Sequence, residues 1–174
     1  MRSSRLVPYP VTMRKIMITV STLMALSAPA FAAETGGPTS LGVFSDWTAA
    51  SLPGSHVCYA FTRAIGSAKT ATAAMIIVTE RPTSRDEVVV NATHDYPAKT
   101  EVAVQVDDQT AMSFYTAGPH AYSRDGRATV IAMQKGNGAS AAWATKSEKK
   151  HTEKFSLSGF SAAYGAIVKA CPAK

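Results

Sequence analysis

The residues able to do acid–base, nucleophilic or metal chemistry are few and scattered. His56, His94, His120 and His151 stand apart, with no H-x-x-x-H pair and no H-E-x-x-H, and His56 alone has a cysteine nearby, Cys58 two residues on. The ligand spacing of a zinc site is therefore missing. The densest grouping is His94-Asp95-Tyr96-Pro97, which sets an imidazole, a carboxylate and a phenol side by side. As chemistry, His94 and Asp95 with His120 would be an acid–base or metal constellation. As structure, the segment is a turn in which Asp95 bonds the backbone ahead of Pro97, and that is the simpler reading. Serine, histidine and aspartate occur without a G-x-S-x-G elbow. A P-loop, a G-x-G-x-x-G and a D-x-D-x-D-G run are missing too, so the sequence assigns no catalytic residue, cofactor or metal.

A second polar grouping is Lys146-Ser-Glu-Lys-Lys-His-Thr-Glu-Lys154, net +2. It holds no aromatic residue on which a base could stack, which argues against nucleic acid. It reads as a solvated hairpin tip, with Lys149 and Lys150 as surface candidates for an anionic partner such as lipid headgroups. Trp47 and Trp143 each sit mid-strand by this reading and are expected in the core rather than as ligand platforms. Asn91-Ala92-Thr93 has the pattern of a glycosylation sequon, which carries little meaning in a bacterial export context.

The elements that would position these groups begin after a leader. Arg14-Lys15 precede an eleven-residue apolar stretch, 16–26, and Ala30-Phe31-Ala32 follows. That order is a secretory signal peptide with cleavage between Ala32 and Ala33. The apolar stretch is shorter than the roughly twenty residues needed to span a bilayer. No Arg-Arg pair precedes it, and the first cysteine, Cys58, is too far away to take a lipid. Either Met1 or Met13 can begin this leader. The whole chain has 174 residues, 18 basic against 12 acidic, and a pI near 9.4. Cleavage removes 32 residues and four of the basic side chains. It leaves 142 residues with fourteen basic and twelve acidic groups, net +2. The basic balance is mostly an export address, and no transmembrane segment is expected in the mature chain. The expected location is the periplasm or beyond, an oxidising compartment where an even pair of cysteines usually forms one disulfide, here Cys58–Cys171. Two separate buried thiols remain the alternative.

Residues 33–40 read as a flexible linker and 41–174 as one domain. Short β-type runs alternate with turn signals from Val43 to Leu157. Val43–Thr48 reads as one strand, and Met75-Ile76-Ile77-Val78 as a strand buried on both faces or crossing a sandwich core. Val102, Val104 and Val106 alternate with polar or small residues, a half-buried strand. Lys146–Glu153 is the hairpin tip and Lys154–Leu157 the last strand. Residues 127–134 fit a helix or a strand. Phe160, Ala163, Tyr164, Ile167, Val168 and Cys171 fall on one helical face, with Ser158 the expected N-cap. Eight or nine strands and one terminal helix imply an all-β antiparallel sandwich.

Four sets of residues carry a resemblance. They are Gly42-Val-Phe-Ser-Asp-Trp47 followed by Cys58-Tyr-Ala60, Val78-Thr-Glu-Arg-Pro82 with Glu87-Val88, Ala132-Met-Gln-Lys-Gly136, and Phe155-Ser-Leu-Ser-Gly-Phe-Ser-Ala-Ala163 ahead of Ala170-Cys171. In this order and spacing the chain resembles the invasion-associated locus B family of exported α-proteobacterial proteins, from about Leu41 to Cys171. The resemblance implies an immunoglobulin-like β-sandwich with a C-terminal α-helix, located in the envelope and lacking catalytic residues or cofactor. Its implied role is a non-enzymatic one, host-cell interaction or envelope integrity, with an envelope or host-surface component as partner. Where relatives often carry a small Ser-Arg-Gly-Thr-like turn before the last strand, this chain has Lys146–Glu153. Two rival readings are a small periplasmic enzyme or metal protein using His94, Asp95 and His120, and a lipid or glycan carrier.

Overall fold

A computed structural model of the chain describes residues 37–67, 73–147 and 149–174. The expected signal segment and its cleavage site lie outside the described residues. Strand β1 (Thr39–Phe44) opens the fold, so the last two residues of the expected linker are already paired. There follow β2 (Trp47–Leu52), β3 (Val57–Arg63), β4 (Met75–Arg81), β5 (Ser84–Asn91), β6 (Glu101–Val106), β7 (Met112–Ala117) and β8 (His120–Ser123). Helix α1 (Gly126–Lys135) intervenes before β9 (Gly138–Ala144), β10 (Lys150–Ser156) and helix α2 (Phe160–Ala170). Every pairing is antiparallel, in one ten-stranded sheet of order β1-β2-β3-β4-β5-β8-β7-β6-β9-β10. The all-β antiparallel, sandwich-like architecture with a C-terminal helix is thus present, with more strands than expected.

Period-2 alternation builds the core. Cys58, Ala60 and Thr62 of β3 face inward, as do Val102, Val104 and Val106 of β6 and Ala139, Ala141 and Trp143 of β9. In strand β4 the run 75–78 alternates, Ile76 and Val78 fully buried and Met75 and Ile77 half-buried, so that run is not enclosed on both faces, while Thr79 and Glu80 after it are both buried. The expected single strand at 43–48 is instead a hairpin. Ser45 takes φ 51° and Asp46 completes the turn, returning the chain so that Phe44 pairs with Trp47. The last strand is longer than expected and begins at Lys150, pairing Lys150–Ser156 against β9. Its charged residues lie on a sheet edge, where lysines discourage a second chain from adding on.

The open question at 127–134 resolves to helix. Asp125 Oδ1 accepts from Ala128 N at 2.9 Å, an N-cap that the strand reading lacks, and Thr129, Val130 and Met133 are buried. Helix α2 buries the expected face, Phe160, Ala163, Tyr164 and Ile167, against the inward side of β1–β4. Its N-cap is Gly159, not Ser158, and no side chain caps it. Gly159 has φ 87°, and a Cβ there would stand 1.9 Å from Phe44 O, so the backbones approach too closely for any other residue. The Ser158 side chain is exposed, and its carbonyl accepts from Asp46 N.

Cys58 and Cys171 form a disulfide with Cα atoms 5.9 Å apart, and both are buried. The bond closes 113 residues of separation and ties the end of α2 to β3. The chain-entropy model gives about 5 kcal/mol for a loop of this size, and measured values run nearer ~2–4 kcal/mol. Replacing both cysteines by alanine is expected to lower unfolding stability by roughly that measured range in urea titrations. The parent chain, denatured without reductant, is expected to resist thiol alkylation.

Candidate functional site

The connection from β5 to β6, residues 92–100, is pinned at two points. Ala92 N donates to Pro119 O and Tyr96 N to Gly118 O, at 2.8 and 3.0 Å. Tyr96 is not a surface residue: it is 7% exposed and meets Trp143 edge-on at 5.1 Å. Its burial, reinforced by the Glu153 carboxylate, pushes the phenol pKa well above its ordinary value. Between these anchors Thr93, His94 and Asp95 stand exposed, with His94 Nδ1 2.8 Å from Thr93 Oγ1.

The tip of the β9–β10 hairpin faces this loop. Thr145 N donates to Lys149 O at 2.9 Å, and the Thr145 and Ser147 hydroxyls share a hydrogen bond of 3.0 Å. Together the two segments line a cleft of about 500 Å³ bounded by His94, Asp95, Pro97, Trp143, Thr145, Lys146 and Ser147. His151 packs on Trp143 with ring centroids 4.5 Å apart and its Nε2 2.8 Å from Glu153 Oε1. Two polar groupings far apart in the sequence therefore meet at one place. An imidazole, a carboxylate, an ammonium and two hydroxyls around an indole wall can hold a polar ligand by hydrogen bonds.

The remaining expected site residues lie elsewhere. His120 is on β8 with its ring 6.0 Å from Tyr122, and it does not line the cleft. His56 is exposed in the β2–β3 turn. Lys149 and Lys150 are exposed at the start of β10. Among the described residues, no three His, Cys, Asp or Glu side chains are placed to share a metal ion.

A second polar constellation does not stand out in the sequence. Glu80, fully buried on β4, lies opposite Cys58 in the register. Its Oε1 accepts from Asp86 N at 3.1 Å and its Oε2 lies 2.6 Å from Arg85 Nε. Arg85 also donates to Cys171 O at 2.5 Å. Asp86 accepts from the Tyr164 hydroxyl at 2.5 Å, and Arg127 Nη1 approaches both, 3.3 Å from that hydroxyl and 3.7 Å from Asp86. The cluster joins β4, β5, α1 and α2. A signal for it exists: Glu80 continues the inward series Ile76, Val78, and a carboxylate in that series needs buried partners.

No family model and no curated protein matches the chain. Among solved structures, invasion associated protein b from Bartonella henselae superposes with a TM-score of 0.56. The match is 15% identical and covers 74% of this chain and 95% of that one. The two share a fold.

Burial pushes the Glu80 pKa up from 4.5 to about 7, against the lowering effects of the Asp86 amide and Arg85. The folded chain then holds a proton that the unfolded chain releases, so stability is highest below pH 4.5 and falls as pH rises towards 7. The full span is worth about 3 kcal/mol at most. Urea midpoints of Glu80→Gln are expected to stay level between about pH 5 and 8, where the parent declines. An equal decline in both would assign the effect to other groups.

Proposed function

We propose that this chain is an exported envelope protein that acts by binding a partner rather than by turning over a substrate. The observation that carries the reading is the shared fold with a protein whose name associates it with invasion, matched over 95% of that protein's length. The leader-like segment at 16–32 and the buried Cys58–Cys171 bond are consistent with an oxidising compartment outside the cytoplasm. An envelope or host-surface component is the partner this reading implies.

The cleft between His94 and Lys146 is the contact point we assign to it. His94, Thr145 and Ser147 on it are held by local hydrogen bonds beside the charged Asp95 and Lys146, an arrangement suited to recognition. The enzyme reading would need His94 to engage Asp95 or His120 at about 3 Å, and its Nδ1 instead meets Thr93 Oγ1 at 2.8 Å.

Two measurements test this. Sequencing the exported protein is expected to give a first residue of Ala33, and an uncut chain retained in the cytoplasm would sink the export reading. A photoreactive residue at Ser147, on the cleft rim, is expected to cross-link to an envelope or host-surface component. The same residue at His56, on the β2–β3 turn, is expected to give no such adduct. Equal labelling from both positions would remove the cleft from the proposal.

A further inference from the structure

A second groove, sharing no residue with the His94 cleft, lies along the outer side of β3 beside the β1–β2 turn. It has a volume of about 760 Å³, and Val43, Asp46, Thr48, Phe61, Arg63 and Ile65 are among the residues that line it. Arg63 is its unusual member. Four of the five arginines among the described residues, Arg81, Arg85, Arg124 and Arg127, lie within ion-pair distance of a carboxylate. Arg63 does not, and its Nε is buried with no hydrogen-bond partner among the described residues. Its guanidinium lies instead over the Phe61 ring, 5.1 Å from the centroid. A buried N–H without an acceptor is uncommon in folded proteins, because it loses its water and gains nothing in return.

The walls are as telling as the cation. Val43 is 71% exposed and Ile65 is 64% exposed, the two largest exposures among the large apolar side chains described. Both lie on the groove that holds Arg63 and Phe61. An unpaired guanidinium next to uncovered hydrocarbon calls for a ligand with an anionic head and an apolar body. Arg63 lines the groove, and a carboxylate or phosphate there would accept charge-assisted hydrogen bonds from its guanidinium. Asp46 is the acid on the wall. It forms no ion pair with Arg63, and its carbonyl accepts from the Thr62 hydroxyl at 2.7 Å.

We propose that this groove binds the anionic head of an acyl chain, with the head on Arg63 and the hydrocarbon over Phe61, Val43 and Ile65. An inorganic anion would leave the apolar wall uncovered, and a neutral hydrocarbon would leave the Arg63 charge without a counter-charge. The head can belong to a free fatty acid or to an anionic phospholipid, and the test separates these sources.

The experiment uses the mature chain and titration calorimetry with dodecanoate below its micelle concentration, together with sedimentation on phosphatidylglycerol vesicles. Dodecanoate is expected to bind, inorganic phosphate at the same concentration is not, and Arg63→Gln weakens binding by roughly tenfold or more. Ile65→Ser, a change at an exposed position that leaves the core intact, is expected to weaken it as well. Asp46→Asn is expected to tighten it by removing a like charge. Binding to monomeric dodecanoate but not to vesicles assigns the free acid, and Arg63-dependent binding to vesicles assigns the phospholipid head; each supports the groove. Three results would overturn it: dodecanoate binding unchanged in both Arg63→Gln and Ile65→Ser, phosphate binding as tightly as dodecanoate, or a peptide with an apolar C-terminal residue displacing dodecanoate at lower concentration. Thermal melts of each variant separate a lost site from a lost fold.

Discussion

Alternate carbonyls of one strand point to the same edge of a sheet, and two on the last strand and one just beyond it are met by donors from the first third of the domain. Lys154 O accepts from Ile65 N at 2.7 Å, Ser156 O from Trp47 Nε1 at 3.0 Å, and Ser158 O from Asp46 N at 3.3 Å. The two-residue spacing is that of a β edge. One of the three donors is a side chain, so the closure depends on an indole being placed where a backbone amide would otherwise stand. Trp47 is held there by its own burial and by Phe160, whose ring centroid is 4.7 Å away. Without this seam the ten strands would be a sheet with its β10 edge left open.

The seam also explains why two short motifs, at opposite ends of the domain, read together in the sequence. Gly42–Trp47 supplies the turn, the indole and the carbonyl of Phe44. Phe155–Ala163 supplies two of the accepting carbonyls, those of Ser156 and Ser158, with Gly159 and the Phe160 ring. Each half needs the other's shape, since a Cβ at position 159 would collide with Phe44 O. What is legible in the sequence as a motif pair is, in the fold, one contact surface.

Much else is legible where a single period governs the residues. Val102, Val104 and Val106, the apolar face of α2 and the pairing of the two cysteines all follow from local pattern or simple counting. Three features escape because a longer-range term overrides the local one. The β1–β2 turn uses Ser45 in a left-handed conformation with none of the usual positive-φ residues at that position. Lys150–Glu153 is strand although its residues favour solvent, because an edge position satisfies both demands. The α2 cap falls on Gly159 because steric contact with β1 outweighs the side-chain bond Ser158 would have made. The candidate cleft is half visible: His94 and Lys146 each belong to a polar grouping that stands out in the sequence, but only the fold brings them to one place.

Helix α2 is fixed at both ends by unlike means. Its start is held in the seam by shape, and its end is held by the disulfide and by Arg85 on Cys171 O, with Tyr164 bonded to Asp86 between them. The polar ties surround a carboxylate whose burial is costly, so they contribute specificity of docking more than net stability. A covalent bond beside them offsets that cost and lets the chain keep a buried ionic cluster that the core alone would favour replacing. Fold likeness at 15% identity carries the backbone across and leaves the side chains to be read afresh. In this chain the side chains that remain unspent after the fold is built are His94, Asp95 and Lys146 on one cleft and Arg63, Val43 and Ile65 on another. Function is most economically sought there, because these side chains line open clefts and take no part in the core.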